Sequence, residues 1–157
     1  MSRIEYGTAK DIKGWMALVR TVSSSFPGLE TEGSLTEHRH TVLDFMDKLE
    51  AVCAKENDTI TGVLLFSTEN NSICFLAVDP EHRRRHIAKQ MFRFVLPLMT
   101  PGKDIVVTTY REGVPEGAAA RAFYRKLGFV PGRMTSEFGS PVQEFVMEAT
   151  KWQIFLQ

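Results

Sequence analysis

A run of basic side chains is the feature of this sequence that most directly suggests chemistry. The segment from His82 to His86 holds three consecutive arginines, and apolar residues with helical spacing follow from Ile87 onwards. These cations lie at the N-terminus of a predicted helix, where the positive end of the helix dipole repels them. Free backbone N–H groups at a helix start bind phosphate groups, so a bound anion would offset the repulsion. A solvated basic turn without a ligand is the alternative that charge alone leaves open.

The overall composition indicates one globular domain. The chain has 157 residues, of which 43% are hydrophobic and 10% aromatic, and this is enough to bury a core. We therefore predict a single domain over residues 1–157. The formal net charge is zero, whereas nucleic-acid-binding proteins usually carry a basic excess. The basic run is thus local, and a local ligand suits it better than a nucleic acid.

The cysteines and the hydropathy pattern bear on the cellular compartment. Cys53 and Cys74 both lie in strand-like segments, so we expect buried free thiols. Two cysteines give no disulfide framework and no zinc-ligand spacing, and no metal site is predicted. No signal peptide is visible, and the apolar runs are far shorter than the ~18 residues of a membrane span. The expectation is a cytoplasmic protein with no membrane partner.

Periodicity indicates which elements position the basic run. A short strand at 3–7 precedes two amphipathic helices, each introduced by a capping signature, at 8–11 and at Ser34 to Glu37. Strands at 51–55, 59–67 and 72–78 are separated by turn-rich segments, which favours antiparallel hairpins. The last of them is apolar on both parities, with Ile73, Phe75 and Ala77 on one face, so it should be central, with helices on each side.

The elements after the basic run complete a mixed sheet. The helix from Ile87 should end before Pro97, and a strand at 105–109 should lie parallel to the central strand. A helix at 116–127 ends where Gly128 would form a left-handed cap. Strands at 129–130 and 142–149 close an α/β fold with about six to seven strands and helices on both faces. The tail at 151–157 either finishes the core or forms a homodimer contact.

Two segments carry the motifs of a known enzyme family. Residues 83–88 read Arg-Arg-Arg-His-Ile-Ala, and they follow Val-Asp-Pro-Glu at 78–81. The first segment resembles the pyrophosphate loop of the GNAT superfamily of N-acetyltransferases. The second, Ala-Arg-Ala-Phe-Tyr-Arg-Lys-Leu-Gly-Phe at 120–129, resembles that family's Ala-x-x-Phe-Tyr-x-x-Leu-Gly-Phe motif. The order and separation of the motifs agree with the family over residues 73–130.

The resemblance implies a GNAT-like fold, acetyl-coenzyme A as co-substrate and no metal. The acetyl group would pass directly to an amine of a small molecule or peptide in a ternary complex. Tyr124 would protonate the leaving thiolate as general acid; a tyrosine that only packs and bonds a backbone carbonyl is the alternative. The central strand would separate from its parallel neighbour and pair with the pantetheine arm. The implied cofactor-binding residues are Leu76, Ala77, Val78, Arg83, Arg84, Arg85, His86, Ile87 and Ala88.

Two positions depart from the family pattern. His86 stands where the family usually has glycine, a residue that tolerates positive φ or a close backbone approach. Its ring would tilt the loop or add a contact to the anion. Gly117 stands where many members carry an asparagine near the pantetheine or acceptor side, so any such contact must come from elsewhere.

The acceptor side leaves several alternatives open. An amine of lysine type must lose a proton before it attacks, and the candidate bases are Glu30, Glu32, Glu112 and Asp79, or a chain of water molecules. The loop at 23–33, the second helix and the last hairpin would bind the acceptor, with Glu30 and Glu32 attracting a cationic amine. Other functions remain open: a non-catalytic acyl-coenzyme A binder on the same fold and, less favoured, a nucleic-acid or partner-binding module that uses residues 82–86.

Overall fold

A seven-stranded mixed sheet forms the centre of the molecule. The computed structural model describes residues 2–156, apart from the side chain of residue 155. The strands are β1 (Arg3–Tyr6), β2 (Ala51–Glu56), β3 (Thr59–Ser67), β4 (Ser72–Val78), β5 (Ile105–Tyr110), β6 (Val130–Glu137) and β7 (Ser140–Met147). Their order is β1-β2-β3-β4-β5-β7-β6, and β4 with β5 is the parallel pair. The predicted α/β fold with a mixed sheet is confirmed.

Helices cover both faces of this sheet. They are α1 (Ile12–Val22), α2 (Glu32–Asp47), α3 (Ile87–Val95), α4 (Ala118–Leu127) and the short α5 (Ala149–Trp152). On one face, α1 and α2 pack over a core that includes Trp15 and Val42. On the other face, α3 and α4 pack over a core that includes Met91 and Tyr124. Within residues 2–156, no helix has the length and apolar character needed to cross a membrane.

A bulge changes which residues of β4 share a face. The register with β3 shifts between Phe75 and Ile73, which leaves Cys74 as the extra residue. Phe75 and Ala77 therefore pack under α1 and α2, whereas Ile73 lies in the opposite core. The prediction that these three residues share a face is wrong for this reason. Cys74 is exposed, so its expected burial is also wrong, whereas Cys53 is buried as predicted.

The ends of several elements follow local hydrogen bonding. The predicted capping box from Thr8 is present at the start of α1. In contrast, α2 is capped by Thr31, whose hydroxyl oxygen accepts from the N–H of Ser34 at 3.0 Å. The cap expected at Ser34 is therefore wrong by about one turn. Gly128 has φ 110° and ends α4 as predicted.

The C-terminal tail contributes to the core through one side chain. Trp152 is fully buried, and its indole N–H donates to the carbonyl oxygen of Lys103 at 2.8 Å. Ile154 and Leu156 are exposed. Of the predicted tail, residue 157 and the side chain of residue 155 lie outside the described residues. The alternative in which the tail finishes the core holds for Trp152, and the homodimer contact stays a prediction.

A buried ion pair joins α1 to the sheet. The ammonium of Lys55 on β2 lies 2.7 Å from the carboxylate of Asp11, and both side chains are about nine-tenths buried. Burial would raise the pKa of Asp11, but hydrogen bonds from Lys55 and Thr8 outweigh it and hold the pKa below its ordinary value. The hydrogen bond to Asp11 raises the pKa of Lys55. Both groups are therefore charged at neutral pH.

We predict that Asp11→Ala lowers the free energy of unfolding by about 3 kcal/mol, because it leaves the buried ammonium of Lys55 with only the more distant carboxylate of Glu5 among residues 2–156, at 3.8 Å. The exposed pair of Arg20 with Glu32 gives a matched control, since Arg20→Ala removes a solvent-screened contact and should lower the free energy of unfolding far less. Urea unfolding of each variant measures both values.

The stabilisation by Asp11 also depends on pH. Because the folded pKa of Asp11 is depressed, its contribution to the free energy of unfolding is complete above the ordinary pKa of the carboxyl and is lost as pH falls through the folded value. Equal losses in the two variants at neutral pH would contradict this assignment.

Candidate functional site

The two parallel strands separate shortly after they pair. Pairing between β4 and β5 covers Ser72 with Val106 and Ile73 with Val107, although β4 continues to Val78. On its other edge, β4 stays paired with β3 as far as Val78. The end of β4 therefore presents one backbone edge that has no strand partner among residues 2–156. The separation implied by the family resemblance is present.

The gap between the strands opens into a cleft of about 790 Å³. One wall comes from the start of α3 and the inner side of α4, and another comes from the end of α1 and the turn that follows it. Because these helices lie on opposite faces of the sheet, the cleft reaches from one face to the other. Residues from the end of β4, the basic loop and α4 line it: Leu76, Ala77, Val78, Arg83, Arg84, His86, Ile87, Ala88, Phe123 and Tyr124.

The backbone of the basic loop alternates in the sign of φ. Arg83 is extended, with φ −68° and ψ 162°, whereas Arg84 and His86 are left-handed, with φ 67° and 60°. Such alternation directs successive N–H groups to one side, as in anion-binding nests. The N–H groups in the first turn of α3 also lack intrahelical partners. His86 keeps the left-handed turn that glycine would adopt there, and histidine is one of the non-glycine residues enriched in that region.

Close packing fixes this loop relative to the sheet. A Cβ atom on Gly62 of β3 would lie 2.8 Å from Cγ2 of Ile87 and 2.8 Å from Cε of Met91. Glycine is therefore needed for the first turn of α3 to approach the sheet so closely. Gly62 also pairs with Val78 at the end of β4. The close approach of α3 to Gly62 thus holds the loop next to the unpaired strand edge.

Cations surround the cleft near the loop. Arg83 and Arg84 line it, and so do Lys89 of α3 and Lys126 of α4, which sequence reasoning missed. None of the four forms an ion pair with another of residues 2–156. Lys89 lies about one helical turn after His86, and this spacing could have predicted that its side chain lies on the same side of α3 as the loop. The cleft can thus neutralise a polyanion near the start of α3.

Arg85 is oriented differently from its neighbours. Its guanidinium Nη1 lies 3.3 Å from Oε2 of Glu56 on β2, outside the cleft lining. Its backbone N–H remains part of the loop. His82 lies between the same glutamate and Asp79, with Nε2 to Oε2 of Glu56 at 3.9 Å and Nδ1 to Oδ2 of Asp79 at 3.6 Å. These contacts attach the loop to β2.

Tyr124 faces the cleft from the buried side of α4. Its side chain is 4% exposed, and its ring centroid lies 5.4 Å from that of Phe123 and 5.5 Å from that of Phe129. Burial raises the pKa of the phenol well above its ordinary value of 10. Its hydroxyl has no hydrogen-bond partner within residues 2–156, so the alternative bond to a backbone carbonyl is absent there. The hydroxyl is a protonated donor that a ligand can use.

The start of α4 is held against the end of β5. The buried guanidinium of Arg121 donates through Nη1 to the carbonyl oxygens of Tyr110 at 2.9 Å and Arg111 at 2.8 Å. A Cβ on Gly117 would lie 2.6 Å from Cβ of Tyr110 and 2.7 Å from Nη1 of Arg121. Glycine at 117 therefore permits this contact, which an asparagine would obstruct. Arg121 positions the helix that carries Tyr124, a role that the sequence pattern did not suggest.

The proposed bases lie outside the cleft lining: Glu30, Glu32, Glu112 and Asp79. The exposed Glu32 pairs with Arg20, whose hydrogen bond lowers the pKa of this carboxyl. Glu112 lies 3.4 Å from Nη2 of Arg125. Glu116, which was not among the candidates, does line the cleft. The role of the four proposed residues as general bases stays a prediction, and their position outside the cleft lining does not favour it.

An aromatic group lies where the cleft reaches the α1 and α2 face. Phe26 lines the cleft, and its ring centroid is 4.3 Å from that of Phe75 on β4. The ring of His38 on α2 packs nearby, 4.8 Å from Phe75. Burial lowers the pKa of His38, so the ring is neutral at neutral pH. The expected acceptor region, from the 23–33 loop to α2, therefore has an apolar wall.

The fold is shared with solved acetyltransferase structures at low sequence identity. A GNAT-family acetyltransferase from Bacillus cereus is 18% identical with a TM-score of 0.73, covering 94% of this chain and 97% of that one. The PaiA N-acetyltransferase of Thermoplasma acidophilum, solved with coenzyme A, is 15% identical with a TM-score of 0.70, covering 92% and 98%. A ribosomal-protein-alanine N-acetyltransferase from Brucella melitensis is 16% identical with a TM-score of 0.71, covering 93% and 99%.

A sequence profile carries the assignment further than these folds do. No curated protein sequence matches the chain. The profile of the Acetyltransferase (GNAT) domain matches residues 47–131, which is more than half of the 157 residues. The match includes β4, the basic loop, α3 and α4, which form the cleft apart from the wall at the end of α1. The chain therefore belongs to the GNAT family of acetyltransferases, enzymes whose chemistry is acetyl transfer.

Proposed function

We propose that this protein transfers the acetyl group of acetyl-coenzyme A directly to an amine of a small molecule or peptide. One observation carries the proposal: the unpaired edge of β4 lies in a single cleft with an anion-binding loop at one side and the Tyr124 hydroxyl at another. A ligand that is long, amide-bearing and terminally phosphorylated matches that arrangement. Acetyl-coenzyme A has a pyrophosphate, two amides and a thioester in sequence along its length.

The proposed cofactor position follows from the donors along the cleft. The N–H groups of residues 84–88 would bind the pyrophosphate, and the unpaired Arg83 and Arg84 would add charge-assisted hydrogen bonds. The backbone of Leu76 to Val78 would pair with the pantetheine amides as an added strand. This direction brings the thioester towards α4. The coenzyme A complex of the Thermoplasma relative supports this class of ligand.

Tyr124 would assist departure of the thiol. In the proposed step the amine nitrogen attacks the thioester carbon, a C–N bond forms and the C–S bond breaks. The electron pair of that bond stays on sulfur, and the Tyr124 hydroxyl donates its proton, or a strong hydrogen bond, to the thiolate. The proton lost by the amine passes to solvent, since the carboxylates proposed as bases lie outside the cleft lining. The raised pKa keeps the phenol protonated across the physiological range.

The runner-up function, a non-catalytic acyl-coenzyme A binder, makes a different prediction for the same cleft. It requires the loop and the strand edge but has no use for a phenol without a partner. The hydroxyl of Tyr124, which has no hydrogen-bond partner within residues 2–156 and belongs to a side chain that lines the cleft, favours catalysis over binding alone. Coenzyme A binding without thiol release over a broad amine panel would reverse this preference.

We predict that Tyr124→Phe lowers kcat about 10²-fold while the Kd for coenzyme A stays unchanged, because the ring still packs and only the proton donor is lost. Thiol release under saturating substrates measures kcat. Tyr6→Phe is the matched control, since Tyr6 lies beside Phe94 and away from the cleft. Ionisation of Tyr124 should cause no loss of wild-type activity below about pH 10, because burial raises its pKa above that ordinary value. An unchanged kcat in Tyr124→Phe would remove this role.

Two adjacent arginines test the loop assignment. We predict that Arg84→Ala weakens coenzyme A binding about tenfold, because it removes an unpaired cation from the cleft. Arg85→Ala should change the Kd less than twofold, since that guanidinium is directed at Glu56 and the contact of His82 with Glu56 still attaches the loop to β2. Titration calorimetry at two salt concentrations gives both values, and only Arg84→Ala should reduce the salt dependence. Equal effects of the two substitutions would show that general charge, and not this geometry, binds the anion.

A further inference from the structure

Phe138 combines two unfavourable features at the tip of the last hairpin. Strands β6 and β7 are joined by the two-residue turn Phe138-Gly139, with φ 53° and 78°. Asn-Gly is the preferred pair for such a turn, and a bulky residue at positive φ is strained. The Phe138 side chain is also 79% exposed. Neither the turn nor the core of the protein requires a phenylalanine here.

The ring of Phe138 rests on the loop between α1 and α2. A Cβ on Gly28 would lie 2.6 Å from Cγ and Cδ2 of this ring. The loop thus carries a glycine, itself at φ 81°, at the point where the ring approaches. Two residues earlier in the loop, Phe26 lines the cleft and stacks on Phe75. Phe138 is therefore held beside the aromatic end of the cleft, on its outer side.

Carboxylates lie at the same end. Glu116 lines the cleft, and Glu30 accepts a hydrogen bond from the N–H of Gly28 at 3.2 Å. Tyr110 lies within electrostatic range of both: burial is the main cause of its raised pKa, and each carboxylate raises it further. Neither carboxylate pairs with a basic side chain of residues 2–156. This end of the cleft is thus apolar, with one carboxylate in its lining (Glu116) and a second just outside it (Glu30), in contrast to the cationic end beside α3.

We propose that Phe138 is a specificity-determining residue that holds the apolar body of a cationic acceptor amine against the Phe26 end of the cleft. Glu30 and Glu116 raise the local concentration of the cation, and the aromatic ring selects amines that carry an aromatic group over small alkylamines. The strained turn keeps a large side chain at a position where a smaller one would fit with less strain. The inference rests on the proposed acetyl transfer and names the acceptor class for it.

The test compares two probe amines, phenethylamine and ethylamine, in wild type and Phe138→Asn, with thiol release as the readout. With phenethylamine we expect KM to rise about tenfold in the variant, whereas with ethylamine, and with acetyl-coenzyme A, KM should change less than twofold. The melting temperature should stay the same or rise, because asparagine suits the left-handed turn. Phe138→Leu retains apolar bulk, so its KM for phenethylamine should lie between those of wild type and Phe138→Asn.

Each contrary result has a definite meaning. If wild type is active but Phe138→Asn leaves the phenethylamine KM unchanged, this inference is overturned and the proposed function stands. Equal changes for the two amines overturn it as well. A changed oligomeric state in size-exclusion chromatography with unchanged KM would assign the ring to a contact between copies instead. If wild type releases thiol with neither these probes nor a broader amine panel, the proposed function fails and the inference fails with it.

Discussion

The separation of two parallel strands is the constraint on which the rest of this molecule depends. A sheet normally satisfies its backbone groups from strand to strand, yet β4 gives up its β5 partner after Ile73. The bulge at Cys74 lies at that point and turns the remainder of the strand. The elements that form the site lie around this gap. They are the start of α3 on one face, the aromatic group of Phe26 on the other, and the inner side of α4 between them.

The charged side chains of the cleft are also arranged around the gap between β4 and β5. The overall charge is zero, but Arg83, Arg84 and Lys89, which have no ion pair within residues 2–156, line the cleft at the start of α3. Glu116 lines the cleft elsewhere, whereas Glu30 lies outside the lining on the loop between α1 and α2. The helix dipole and the left-handed loop add to the cationic end. The resulting field has a direction, positive for phosphates and negative for an ammonium. In the proposed reaction, an anionic cofactor and a cationic amine would enter the cleft from opposite ends.

Local sequence patterns predicted the helices and strands well, because capping residues, turn residues and apolar periodicity act within a few residues of each other. Gly128 as a helix end and the hairpins before β4 follow from turn chemistry and period alone. The face of Ile73 was wrong because a bulge arises from pairing with β3, which the sequence of β4 does not reveal. Family motifs led to Tyr124 and to the loop. They could not reveal that Arg85 is directed at Glu56, nor that Glu116 lies in the cleft, since both depend on distant elements.

Gly62 has a consequence for how such an enzyme can be tuned. This residue does not itself line the cleft, yet its missing side chain sets how deeply α3 seats on the sheet. A methyl group there would lie 2.8 Å from Cγ2 of Ile87 and from Cε of Met91, so these side chains or the first turn of α3 would have to shift. A change of side-chain size at this position would therefore act on the anion-binding loop from the sheet side of α3, without any change of charge in the cleft. Position 62 is therefore a place where substitution can alter the loop without changing a residue that lines the cleft.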